Sequence, residues 1–135
     1  MQVIKDILGD LKHIGILGYG MEGRSTHKII TATYPEANIY VMDQSAGVKV
    51  ETTEHTHVFA GAEYKTGLEK CEVVFRSPGV RLTDADYNGI VTSQAELFTQ
   101  IKRKQIIGIT GTKGKSTTTS LIHHLLSHKY KVAFI

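Results

Sequence analysis

Apolar residues fall into short runs closed by glycine, proline or an acid, and these runs set the expected elements. Ile14-Gly15-Ile16-Leu17 ends on Gly18-Tyr19-Gly20-Met21-Glu22-Gly23. A run this short, closed by glycines, reads as a buried strand feeding a tight turn. A helix is expected from about Arg24 to Thr33, with Ile29, Ile30 and Ala32 on its apolar side. Tyr34-Pro35-Glu36 stops it, because the residue before proline resists the helical region. Asn38 to Met42 reads as a second strand with Asp43 at its C-terminal end. Residues 44–56 are polar and expected as loop. His57-Val58-Phe59, Val73-Val74-Phe75 and Ile90-Val91-Thr92 are further expected strands, with a turn or short helix at 66–71. Strands alternating with helical patterns point to an α/β fold with a parallel sheet and right-handed crossovers.

A second unit is expected to begin near Ser93. Ser93 with Glu96 three residues on forms a capping-box pattern for a helix running to about Lys102. Gln105 to Ile109 reads as a strand, Thr110 to Ser116 as a glycine turn, and the stretch to about His128 as a helix. Leu121, Ile122, Leu125 and Leu126 share one face of that helix. Lys131 to Ile135 reads as another strand, and the chain stops on it without a polar tail. The expectation is a fragment of a longer protein, divided into domains at 1–93 and 94–135.

Composition narrows the classes. Hydrophobic residues at 41% and charged residues at 21% are enough for a globular core. One cysteine, Cys71, cannot form an internal disulfide. No apolar run reaches the roughly 20 residues that span a bilayer, and the N-terminus lacks a signal peptide's apolar stretch. A cytoplasmic protein is the expectation. The net charge of +3 hides two segments of opposite sign. Residues 1–94 hold 9 basic and 12 acidic side chains, whereas residues 95–135 hold 7 basic and 1 acidic.

Gly18-x-Gly20-x-x-Gly23 stands after a strand and before a helix, the context in which this spacing binds a diphosphate. The first glycine makes the turn, the second lets phosphates approach the backbone, and the third packs helix on strand. Free amides at the helix start favour an anion. Asp43 lies 20 residues beyond Gly23, where an acid commonly meets a ribose. The pattern does not say which nucleotide binds. Gly111-Thr112-Lys113-Gly114-Lys115-Ser116 is a second phosphate loop, although the general pattern would need glycine at Ile109. Its amides can form a nest, Lys115 can neutralise β- and γ-phosphates, and Ser116 can ligate Mg²⁺.

Gly111 to Thr118, preceded in order by Gly18 to Gly23, Asp43, Ser77-Pro78-Gly79 and Glu96-Leu97-Phe98, resembles the Mur ligase family of amide-forming enzymes. The resemblance implies a Rossmann-like domain followed by the first β-loop-α-β unit of a P-loop ATPase domain. It implies that Gly18, Tyr19, Gly20, Met21, Glu22 and Gly23 hold the diphosphate of UDP-N-acetylmuramoyl-L-alanine. Asp43 would sit near the uridine, with Ser77 and Gly79 beside the same ligand. It also implies ATP and Mg²⁺ at Gly111, Thr112, Lys113, Gly114, Lys115, Ser116 and Thr117, with Lys115 catalytic and Ser116 a metal ligand. ATP would turn the substrate carboxylate into an acyl phosphate, which the amine of D-glutamate attacks. The remaining magnesium ligands and the D-glutamate site are expected beyond Ile135, so the chain alone is expected to be inactive.

The rival reading is a nicotinamide-binding regulatory or redox domain using the first glycine loop, and a third is a nucleotide sensor. The second phosphate loop argues against the rival, which needs only one. His124 and His128 have a zinc-compatible spacing, but no Cys or acid nearby completes a site. Lys102-Arg103-Lys104 lacks interleaved aromatics and reads as a solvated helix end, so no nucleic-acid partner is expected. The strands at 105–109 and 131–135 would expose sticky edges, so 105–135 is expected to pack on the first domain or on another copy.

Overall fold

The structure is a computed structural model that describes residues 2–133. The chain divides into two compact units, one ending at Lys102 and the other starting at Arg103. The expected boundary at 93/94 falls at the start of a helix that lies wholly inside the first unit.

The first unit contains α1 (Gln2–Leu8), β1 (His13–Leu17), α2 (Met21–Thr33), β2 (Asn38–Asp43) and β3 (Thr56–Ala60). A 3₁₀ segment follows at Tyr64–Lys70, then β4 (Val73–Arg76), β5 (Ile90–Thr92) and α3 (Gln94–Lys102). The five strands form one sheet in the order β3-β2-β1-β4-β5, and every pairing is parallel. β1 is central, with Gly15 opposite Tyr40 on one side and Val74 on the other.

Alternation along the strands sorts the core into two layers. Ile14, Ile16, Ile39, Val41, Val73 and Phe75 pack with residues of α1, α2 and α3, including Ile4, Ile30 and Leu97. On the other face Leu17, Tyr40, Met42 and Val74 pack under Leu68 of the 3₁₀ segment, flanked by Val80, Leu82 and Tyr87. One face is thus covered by helices, the other by a short helix and a loop.

Local signals account for most element ends. Tyr34 caps α2 by donating its amide to the Ile30 carbonyl, just before Pro35. Ser93 Oγ accepts the Glu96 amide at 3.1 Å, the expected half of a capping box. The Glu96 carboxylate accepts from the Thr92 hydroxyl at 3.3 Å.

The structure adds one helix and corrects four expectations. α1 is an additional helix, anchored through buried Ile4. α2 starts at Met21, three residues earlier than expected, because Gly20 already accepts the Arg24 amide. Its buried stripe is Gly23, Thr26, His27, Ile30 and Thr33, while Ile29 and Ala32 face solvent. In the second unit, α4 (Lys115–Ser127) forms as expected, but 106–109 is not a strand. No described strand pairs with it, and strand hydrogen bonds need a neighbour. Residues 131–133 are likewise not a strand, and 134–135 lie outside the described residues. Among the described residues no helix is long and apolar enough to cross a membrane.

Cys71 sits half-buried between the 3₁₀ segment and β4, and its thiol donates to the Gly67 carbonyl at 3.3 Å. Burial pushes its pKa up to about 12. The thiolate is the reactive form, so the folded protein is expected to react with iodoacetamide near pH 8 at least about a hundredfold more slowly than the urea-unfolded chain. Equal rates would show the thiol to be open to solvent.

Candidate functional site

β1 and β4 are neighbours whose chain connections leave in opposite directions across the sheet. Such a switch point opens a crevice at the carboxyl ends of the strands. The turn after β1 and the turn after β4 meet there. Gly18 has φ +89°, a left-handed conformation that favours glycine, and its amide donates to the Met42 carbonyl at 2.8 Å. A side chain on Gly18 would strike Val80 Cγ2 at 2.8 Å, so the two turns are in direct contact.

Polar ties fix this arrangement. Asp43, at the end of β2, accepts the Tyr19 amide at Oδ2 (2.6 Å) and the Ser45 amide at Oδ1 (2.8 Å). The Ser77 hydroxyl donates to the Gly18 carbonyl at 2.9 Å, and the Ser77 amide to Leu17 O at 2.9 Å. Gly79, at φ +86°, completes the second turn with open space where a side chain would stand. Asp43 and Ser77 are therefore structural ties of the turn. Each keeps lone pairs for a further donor such as a sugar hydroxyl.

Gly20 and Gly23 do different work. A Cβ on Gly20 would meet nothing within 4 Å, leaving the backbone open for a ligand. A Cβ on Gly23 would stand 2.1 Å from the Gly18 carbonyl, so glycine is what lets α2 dock on the turn. Gly20 caps α2 without a side-chain hydrogen bond, which leaves first-turn amides available. Met21 is 91% exposed and Glu22 partly exposed beside them.

A cavity of about 460 Å³ opens at these turns, walled by Gly18, Asp43, Gln44, Gly79, Lys65 and Arg81. Sequence reasoning missed Lys65 and Arg81. Arg81 lies two residues past Gly79 in the same turn, a signal that was there to read. The Lys65 ammonium contacts Asp86 at 3.0 Å. The Thr83 amide, then Lys65, pull the Asp86 pKa down to about 2.

The second loop is described within its own unit. Gly111 has φ +149°, and Gly114 caps α4 in the left-handed region at φ +77°. Lys115 reaches back to donate to the Gly111 carbonyl at 2.6 Å, closing the loop on itself. No side chain caps α4 and no acid lies in its first turn. Lys113, Lys115, Ser116 and Thr117 are exposed. Uncapped amides beside two cations suit a polyphosphate. For Mg²⁺ the loop supplies the Ser116 hydroxyl, and among the described residues no group of three His, Cys, Asp or Glu gathers to hold a metal. His128 Nδ1 lies 2.8 Å from the His124 carbonyl, so it is engaged at the helix end.

No family model matches the chain, and no solved structure matches it. Curated relatives do. A UDP-N-acetylmuramoylalanine–D-glutamate ligase from Thermotoga petrophila is 31% identical over 132 residues, covering 90% of this chain and 30% of the relative. A second, from Thermotoga sp. strain RQ2, is 32% identical over 126 residues, covering 86% and 29%. A UDP-N-acetylmuramoyl-L-alanine–L-glutamate ligase from Micromonospora sp. is 35% identical over 133 residues, covering 89% and 29%. The chain thus spans only about 30% of the length of these relatives.

Replacing Gly23 by Ala tests the docking of α2 on the turn. The clash with a backbone carbonyl is expected to cost about 2–3 kcal/mol, read as a lower urea-unfolding midpoint. An unchanged midpoint would mean that helix and turn are not in contact.

Proposed function

We propose, for a chain that resembles the Mur ligase family and is most like the N-terminal part of its UDP-N-acetylmuramoylalanine–D-glutamate ligases, that it binds a UDP-linked substrate and ATP. The observation that carries this reading is the crevice between the Gly18 and Ser77 turns, with Asp43 at its edge. Backbone amides at Gly20 to Gly23 would bind the diphosphate of UDP-N-acetylmuramoyl-L-alanine. Asp43 would accept from the ribose, and Gly79 would let the ligand lie close to the second turn. Lys65 and Arg81 would offset the phosphate charge.

Gly111 to Thr117 would hold the ATP phosphates, with Lys115 swinging from the Gly111 carbonyl to the β- and γ-oxygens. Ser116 would give one oxygen to Mg²⁺. ATP supplies the phosphoryl group that activates the substrate carboxylate for amide formation with D-glutamate. The chain's own residues position that group and neutralise its charge, the two effects on which phosphoryl transfer mainly depends. The setting is cytoplasmic peptidoglycan synthesis, and the 135 residues alone carry no ligation.

Titration calorimetry with UDP-N-acetylmuramoyl-L-alanine, ATP–Mg²⁺ and NADH separates this reading from a nicotinamide domain. Binding of the first two and not the third is expected. NADH binding without the UDP ligand would overturn the proposal. Lys115→Ala is expected to weaken ATP at least about tenfold and to leave UDP-ligand affinity unchanged.

A further inference from the structure

Tyr19 stands between the first two glycines of the turn, and its amide is held by Asp43. Its side chain is only 5% exposed. The hydroxyl lies 2.6 Å from Nδ1 of His27, which is also 5% exposed, and the rings meet edge to face. A buried phenol proton needs an acceptor, and Nδ1 of His27 is the group at hydrogen-bond distance, so the Tyr19 hydroxyl donates to it. Nδ1 must then be bare, with the imidazole proton on Nε2, 3.5 Å from the Thr56 hydroxyl. His27 thus joins the glycine turn, α2 and β3 in one polar chain, buried at Tyr19 and part-buried at Thr56. A buried polar residue so connected does more than fill a helix stripe.

We propose that neutral His27 is a positioning residue for the first glycine turn: it holds Tyr19, and through it the turn amides, and its protonation releases them. The ligand-binding consequence rests on the UDP-substrate reading above. A hydrogen on Nδ1 would take away the acceptor of the phenol proton, and a buried donor left without a partner is costly. Burial lowers the His27 pKa, while the Glu51 carboxylate opposes that shift. The other charged groups on this side are Arg24 and Lys28 of α2 and Lys49 of the loop. With Glu51 they line a cavity of about 740 Å³ whose wall also includes Tyr19 and His27. A histidine whose folded value lies below its unfolded value binds fewer protons when native. Its contribution is therefore full above about pH 6.5 and lost as pH falls below that value.

NMR of the full 135-residue chain, without ligand, tests the linkage directly. On acidification from about pH 7.5 through the His27 midpoint, which lies below about pH 6.5, the Tyr19 and Gly20 amides are expected to shift with the same midpoint as the His27 ring. In His27→Asn, whose side-chain oxygen can replace Nδ1 as acceptor, those amides should stay still. Amides that ignore the His27 midpoint, or that still titrate in His27→Asn, would overturn the proposal. Calorimetry with UDP-N-acetylmuramoyl-L-alanine forms the second arm, since its diphosphate is esterified at both ends. Affinity is expected to fall about fivefold over the same range, and His27→Asn should abolish the dependence. Tyr19→Phe keeps the ring and should lose about fivefold at neutral pH. Linked amide shifts without any binding would sink the UDP reading and uphold the role of His27. Binding with unlinked amides would do the reverse.

Discussion

The carboxylate of Asp43 is the tie on which the carboxyl end of the sheet depends. It takes one amide from the turn after β1 and one from the turn after β2, at 2.6 and 2.8 Å. Two charge-assisted bonds from one side chain fix two loops that share no backbone ladder beyond the strand ends. The Ser77 hydroxyl adds the third member by holding the Gly18 carbonyl. With β1 central and its neighbours in parallel register, these three turns cannot part without losing one of these hydrogen bonds. Residues expected to touch a ligand thus turn out to build the place where a ligand would lie.

Much of this was legible in the sequence because it is local. The strand, glycine turn, helix, strand and acid follow each other within residues 14–43, and each step has its own chemical signature. Three kinds of feature were not. α1 has a mixed pattern and is held through Ile4 packing in the core, a tertiary effect. The α2 stripe was misassigned because Ile29 and Ile30 are equally apolar, and the packing of Gly23 against Gly18 decides which faces the sheet. His27 and Thr26 then fall on the buried face, where a polar residue breaks the hydrophobic pattern that a reader follows. Lys65 and Arg81 reach the crevice through loop conformation, which periodicity does not encode.

On the proposed reading, the two glycine loops would hold phosphate by different means. The first sets backbone amides beside a segment whose net charge is negative, so its attraction to an anion would be short-ranged and directional. The second places Lys113 and Lys115 in a segment with a single acid, Glu96. Salt screens the second kind of attraction more than the first, because exposed charges act at a distance through solvent. The overall +3 is therefore a sum over two chemistries and says little about any partner by itself.

The second unit shows which part of a motif is self-sufficient. α4 forms because its hydrogen bonds close within thirteen consecutive residues, from Lys115 to Ser127. The apolar runs before and after it are as strand-like in composition as β1, yet 106–109 and 131–133 adopt no strand. A strand's bonds go to its neighbours, and none of the described strands pairs with them. Leu121 and Leu125 of this helix are 58% and 63% exposed. The glycine loop between these runs keeps its left-handed Gly114 and its Lys115 bond because both are local too. The shape of this loop is thus set within its own few residues, whereas the first loop draws its shape from three strands at once.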